Sequence, residues 1–337
     1  MRRGRLNRAG IFISLTVACL LVIIFSIAVG AVKIPVGAIV KTLSGQGETI
    51  QDYWQTIILQ LRLPRVLLAL QVGMALALAG STMQGLFKNP LADPYVLGVS
   101  SGGAVGAAGA MLLGLGWSGF GAVAVPLFAF AGALLSLLLV YWLAKSGGRL
   151  PVFNLLLAGV AVSIFLGAIV SMLMYFSGEQ LQQVVFWMMG GFGGRTWFHV
   201  VAILPYVLLG SGVIFWHGRE LDALALGEEQ AYYMGVDVER IKRRLLWSAS
   251  LLAASAVAVS GLIGFVGLVV PHAMRILGGP NHRYLLPAAA LAGAVFLAGA
   301  DIVARVLIAP EVLPVGLVTA LIGGPFFLYL LKNRRVN

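Results

Sequence analysis

The chain has 337 residues, of which 60% are hydrophobic and only 10% charged, and its mean hydropathy is +0.97. A water-soluble domain carries roughly 25% charged and 45–50% apolar residues, so a soluble globular enzyme and a disordered chain are both excluded. The formal net charge of +11 invites a nucleic-acid reading, but in so apolar a chain an excess of Lys and Arg marks the cytoplasmic loops of a membrane protein.

One bilayer span takes about 20 apolar residues, so the apolar fraction suffices for roughly ten spans. Arg2, Arg3, Arg5 and Arg8 precede an apolar run over 9–32. That run exceeds the roughly 7–15 residues of a signal-peptide core, which predicts a retained first span with the N-terminus inside. A polar stretch follows over 33–60. Further spans are predicted at 65–87, 96–115, 121–143, 153–176, 198–216, 245–264, 266–277, 285–302 and 315–331. The segment 266–277 is too short to cross straight and predicts a half-span or broken helix. Both termini then lie inside, Arg334 and Arg335 included.

This topology puts 17 of the 23 Lys and Arg residues on the cytoplasmic side and leaves Lys33, Lys41, Arg62, Arg65, Arg195 and Arg305 outside. The asymmetry obeys the positive-inside rule. Cys19 is the only cysteine and lies in the first apolar run, so there is no disulfide framework and no thiolate cluster. The 43 glycines fall inside apolar segments, where they let helices approach closely.

An internal echo runs from Ala79-Gly80 to Asn89-Pro90 and from Ser260-Gly261 to Val270-Pro271, with a further glycine at Gly98 and Gly279. The two copies fall in spans of opposite direction, as in inverted-repeat transporters. No soluble linker separates the halves, so residues 1–337 form a single polytopic domain.

The largest cytoplasmic segment, about 218–244, has its own pattern. Gly227 and Gly235 bracket Glu228, Glu229, Gln230, Ala231, Tyr232, Tyr233 and Met234. Two glutamates in a first turn suit the positive end of a helix dipole, and Gly235 is placed as a C-terminal cap. Asp237 can cap a second helix, leaving Arg240, Lys242, Arg243 and Arg244 at the cytoplasmic surface. A short capped helix showing Tyr232, Tyr233 and Met234 to water reads as a docking knob, since aromatic residues and Met are enriched at interfaces.

Here a resemblance becomes specific. Leu226 to Ala231 with Met234-Gly235-Val236 resembles the coupling segment of the iron-siderophore, haem and vitamin B12 permease family, FecCD, of bacterial ABC importers. Leu61-Arg62-Leu63-Pro64-Arg65 is similar to the start of that family's second helix. Gln84, Asn89-Pro90-Leu91-Ala92-Asp93-Pro94 and Leu97-Gly98 match its first cytoplasmic turn. Ser260 to His272 with Arg275 forms its most recognisable block, and Ala300 to Arg305 and Leu313 to Gly323 complete it. The likeness covers nearly the whole chain in order.

The resemblance implies an all-α membrane protein in the bacterial inner membrane, a homodimer with its translocation path on the two-fold axis. It implies two ABC ATPase subunits docked underneath, which use ATP and Mg, and an extracytoplasmic binding protein that delivers an iron-siderophore, haem or cobalamin. A Walker A loop ends in Gly-Lys-Ser/Thr, and no lysine of this chain follows a glycine. The chain is therefore expected to bind no cofactor and to catalyse no reaction itself. In the family, basic residues at Arg62, Arg65 and Arg305 meet acidic residues of the binding protein, through the bidentate contacts Arg makes with carboxylates. Against this, Arg62 and Arg65 also suit interfacial snorkelling, and Asp301 one turn before Arg305 suits a neutralising pair.

A cytoplasmic gate is expected at Asn89 and Leu91 or at Val152 and Phe153. Small hydroxyl residues are common in the family where this chain has Val152 and Phe153, and an apolar ring would seal by dewetting. Ordinary helix-end packing is the rival reading for both turns. The four histidines, His199, His217, His272 and His282, show no ligand spacing for a metal or haem, and His272 reads as structural. Trp187, Met188 and Met189 predict an outer amphipathic helix, lining the cavity mouth or lying in the interface. An ion-coupled secondary transporter is the alternative function, but its expected set of midplane ionisable groups reduces here to Asp301 and Arg305. A receptor subunit without transport fits the glycine-rich interior less well.

Overall fold

A computed structural model describes residues 8–30, 34–44, 52–116 and 121–333. Arg2, Arg3, Arg5, Lys33, Arg334 and Arg335, which enter the topological count, lie outside the described residues. The helices are α1 Arg8–Ala28, α2 Val36–Leu43, α3 Asp52–Thr56, α4 Leu63–Leu86, α5 Val99–Leu112, α6 Gly121–Ala144, α7 Val152–Tyr175, α8 Leu181–Met188, α9 Trp197–Trp216, α10 Gly218–Leu226, α11 Glu228–Tyr233, α12 Val238–Ser260, α13 Val266–Gly278, α14 His282–Val306 and α15 Val315–Asn333. A π-helical turn, Ile57–Arg62, joins α3 to α4 without a break, so helix runs from the polar stretch straight into the second span.

Six helices among the described residues are long and apolar enough to cross a membrane, and three shorter apolar ones, α5, α13 and α15, accompany them. With α12 these coincide with the expected spans. Two boundaries moved for local reasons. The helix expected at 245–264 starts at Val238, where the Asp237 carboxylate accepts the Arg240 N–H at 3.1 Å, and stops at Gly261, whose φ is +69°. The span expected from 96 is interrupted at Gly98, φ +79°, so a 3₁₀ turn over Pro94–Leu97 precedes α5.

The bundle is organised around α4, α12 and α14, which pack on one another or on shared neighbours. Their buried faces are rich in Ala, Gly and Ser. The bulky Leu, Ile and Phe side chains sit outside on α1, α6, α7, α9 and α15. This inverts the pattern of a soluble protein. In lipid, apolar side chains lose nothing by facing outward, while helix association relies on close van der Waals approach. A Cβ on Gly73 would lie 2.2 Å from the Gly293 carbonyl oxygen, and one on Gly80 would lie 1.8 Å from that of Gly267. Only hydrogen fits at these crossings.

The packing repeats. α4 lies against α14 and α13, and α12 lies against α6 and α5; α5 and α6 pair as α13 and α14 do, and α7 meets α5 and α6 as α15 meets α13 and α14. The end of α4 at Leu86 and the start of α12 at Leu246 line one small cavity, so the two halves run in opposite directions. The Gly–Pro echo is not the register of this repeat. Gly80 stays helical inside α4, whereas Gly261 terminates α12, and Pro90 lies between helices while Pro271 lies inside α13.

Candidate functional site

The 218–244 segment folds as three short-range decisions. α10 ends at Gly227, whose φ of +151° disfavours any side chain. α11 follows with Glu228 and Glu229 in its first turn. It closes at Gly235, φ +81°, with the Gly235 N–H on the Tyr232 carbonyl and the Val236 N–H on that of Ala231. This double bond pattern is the glycine-dependent helix stop.

Ala231 is fully buried, and this fixes the roll of α11 so that Tyr232 and Tyr233 stand 70% and 78% exposed, with Met234 and Leu226 beside them. Below the knob is an open groove of about 970 Å³ lined by Arg149, Glu228, Glu229, Tyr232, Tyr233, Gly235 and the start of α12.

The knob is held from beneath by a residue expected at the surface. Lys242 is only 5% exposed, which corrects that expectation. Its ammonium reaches Glu228 at 3.0 Å and Glu239 at 3.2 Å, and Glu239 also accepts the Leu150 N–H at 3.0 Å. Two carboxylates compensate the buried charge, as burial of an ammonium requires, and α11, α12 and the α6–α7 turn become one unit. Asp222 of α10 then caps α14 through the His282 backbone N–H. The knob is thus attached to a helix that, at 1.5 Å per residue, is about 37 Å long.

At the far end of α14 lies the second polar cluster. Arg65 grips the Asp301 carboxylate with Nε at 3.0 and 3.1 Å and a terminal nitrogen at 2.7 Å. Arg305 sits on the same carboxylate at 3.0 Å and donates to Ser26 and to the Val29 carbonyl. Arg62 donates to the Ile27 and Ala28 carbonyls.

Asp301 is fully buried, and Arg62 and Arg305 are each 7% exposed. The three arginines expected to face a partner therefore tie α1, α4 and α14 together. The anticipated pair of Asp301 with Arg305 forms and is shared with Arg65. Two cations on one carboxylate leave an excess positive charge in the cluster, and Arg62 adds to it from beside Arg305.

Beside this cluster is a recess of about 540 Å³, lined by Arg65, Gln183, Trp187, the glycines 190, 191, 193 and 194, Arg195 and Ser260. Trp187 of α8 lines it, one of the two placements expected for that helix, whereas Met188 and Met189 do not. Burial lowers Arg195 to about 10, so it remains charged at neutral pH. The floor is the unwound stretch between α12 and α13, where the Gly191 N–H bonds the Ser260 carbonyl at 2.7 Å and the Tyr95 hydroxyl bonds that of Ile263 at 3.0 Å. Irregular backbone at this depth is tolerated only against protein or a water-filled cavity.

The expected gate residues separate. Asn89 uses its side chain to accept the Leu91 N–H at 3.0 Å, a turn-forming contact. Val152 packs toward Leu86, Phe87 and Leu246, while Phe153 projects 73% exposed. Sequence reasoning missed a contact of the same region: Gln84 donates to the Gly267 and Leu268 carbonyls and accepts from Arg275 at 3.0 Å, tying α4 to α13. Both residues stand in the motifs quoted above, but nothing in a sequence says that positions so far apart meet.

A model of the FecCD transport family matches residues 18–333. The chain is 49% identical to the cobalamin import system permease protein BtuC of Halobacterium salinarum over 84% of this chain and 75% of that one. It is 46% identical to the hemin transport system permease protein HmuU of Yersinia pestis, over 82% and 83%. Among solved structures, a metal-chelate type ABC transporter in an inward-facing conformation superposes with a TM-score of 0.84 at 34% identity, covering 96% of this chain and 99% of that one.

Proposed function

Because the chain belongs to the FecCD transport family and is a transport permease, we propose that it is the membrane-spanning subunit of a binding-protein-dependent importer. Its cargo is an iron-siderophore, haem or cobalamin, and it is powered by a separate ABC ATPase. The observation that carries this reading is the 227–235 knob. Two exposed tyrosines and a methionine stand on a short helix fixed by two special glycines and a buried lysine. Nothing in a self-contained permease needs such a surface, whereas a motor subunit that must push on the bundle does. Movement of α11 would reach α14 through Asp222 and α7 through Glu239.

A second copy of the chain completes the path. The centre of the single bundle, α4 with α12 and α14, is closed by side chains of zero exposure, so a large chelate has to pass between copies. The excess positive charge around Asp301 supports attraction of an acidic binding protein to that end, in the outer face of an inner membrane, with both termini cytoplasmic. The cation pair on Asp301 also weighs against a secondary transporter, whose coupling carboxylate must be able to exchange its partner.

Uptake by sealed inside-out and right-side-out vesicles tests the proposal with labelled cobalamin, haemin and a ferric siderophore. Uptake into right-side-out vesicles that depends on internal ATP and added binding protein supports it. Uptake driven by an ion gradient without ATP overturns it.

A further inference from the structure

A cleft of about 720 Å³ opens between the end of α9 and the start of α12, lined by Gly212, Val213, Trp216, His217, Arg243, Arg244, Trp247 and Ser248. None of these residues is acidic. Within the basic run of α12, Arg240 pairs with Asp237 and Lys242 with Glu228 and Glu239, but no ion pair holds Arg243 or Arg244 among the described residues. Both arginines are exposed. His217 is engaged by Glu220 at 3.3 Å. Trp216 stands 81% exposed at the rim, Trp142 of α6 is exposed nearby in sequence to Tyr141, and Trp247 leans on Tyr141 with ring centroids 5.8 Å apart.

The same seam holds a second, smaller cleft. It is purely non-ionic, about 130 Å³, and is formed by Pro126 and Phe130 of α6, Ala202 and Tyr206 of α9, and Ser255 and Ala258 of α12 with their neighbours. From Trp216 to Tyr206 is ten residues of one helix, about 15 Å, which is half of the roughly 30 Å hydrocarbon core. A basic, tryptophan-rimmed cleft at the membrane boundary and an apolar cleft one leaflet deeper thus lie along the same α9–α12 seam.

We propose that this seam is a binding site for one anionic phospholipid. Arg243 and Arg244 hold the phosphate, Trp216 and Trp247 flank the glycerol region, and an acyl chain runs along α9 to the cleft at Tyr206. Basic pockets between spanning helices recognise anionic head groups in this manner, and indole rings favour the interface. Gly212 opens the wall, since a Cβ there would meet nothing within 4 Å. The seam borders α10, so a bound lipid would brace the α9–α12 contact next to the knob. The reading of this end as cytoplasmic enters only in naming the inner leaflet as the source.

Native mass spectrometry of the purified chain in mild detergent, titrated with phosphatidylglycerol, tests this. The expected result is one strongly retained lipid per chain. Arg243→Gln with Arg244→Gln should weaken retention roughly 30-fold, at about a tenfold loss for each 1.4 kcal/mol and about 1 kcal/mol per basic residue. Gly212→Trp, which fills the cleft without altering charge, should also abolish it. Phosphatidylcholine should not be retained, and inorganic phosphate should not displace the lipid.

Equal retention of phosphatidylglycerol by the double variant, or equal retention of phosphatidylcholine, overturns the proposal. So does displacement of the lipid by free phosphate. The titration contains no ATPase or nucleotide, so its outcome is separate from that of the importer reading.

Discussion

Asp222 accepts both the backbone N–H and the Nδ1 proton of His282, each at 2.7 Å. One carboxylate oxygen therefore fastens α10 to the first residue of α14, and α14 carries Asp301 at its opposite end. This contact links the segment that carries the exposed knob to the helix that carries Asp301.

Asp222→Ala removes the acceptor of the His282 N–H beside the Asn281 cap and strands a buried imidazole nitrogen. The expected loss is about 1–3 kcal/mol, read as a lower unfolding temperature in detergent. Capture of the ATPase should persist while substrate uptake falls, because the knob remains intact and only its attachment is cut. Uptake at the parental rate would show that movement reaches α14 by another route.

Asp301→Leu leaves the guanidiniums of Arg65 and Arg305 without their shared carboxylate. Breaking a buried pair by removing one partner costs about 3–5 kcal/mol, so the variant should unfold at markedly lower temperature or fail to accumulate. Adding Arg65→Leu should recover part of the loss. A thermal profile unchanged by Asp301→Leu would make the cluster dispensable.

Gly80 and Gly109 make a matched pair for the helix crossings. A Cβ at Gly80 meets the Gly267 carbonyl oxygen at 1.8 Å, while one at Gly109 meets nothing within 4 Å. Gly80→Leu should cost at least about 1–3 kcal/mol by overpacking, and Gly109→Leu should be tolerated. Size-exclusion profiles after heating distinguish them directly.

Asp93 lies outside the spanning segments, and burial raises its carboxyl to about 6, against the opposing Tyr95 N–H bond. A raised carboxyl binds its proton more tightly in the folded state. Its contribution is therefore full below the unfolded value near 4 and is lost as pH rises through about 6. Between pH 5 and pH 7.5 the parent should lose stability relative to Asp93→Asn. Parallel pH profiles would contradict this.

Locally encoded features are legible in the sequence itself. The glycine brackets at Gly227 and Gly235, the Asp237 cap and the short half-span helix at 266–277 all depend on residues within one or two turns, where spacing and φ preference decide. Long-range features are not. Arg65 and Asp301 are separated by 236 positions, and an arginine that snorkels, docks or pairs has the same local sequence.

Lys242 reads as a surface residue because charge normally stays there, and only the return of Glu228 beside Glu239 makes its burial possible. The Gly–Pro echo pointed to an inverted repeat that does exist in the packing, but at a different register. Gly and Pro mark backbone exceptions, whereas the repeat is carried by helix order.

The most direct test of the central claim is gentle purification of the tagged chain from its native membrane, with partners identified by mass spectrometry. The parent should bring down an ABC ATPase at one copy per permease. Tyr232→Ser with Tyr233→Ser should lose it while the chain still elutes as a folded species, because both side chains are exposed. A parent chain that elutes without an ATPase and still moves substrate down an ion gradient would contradict the account.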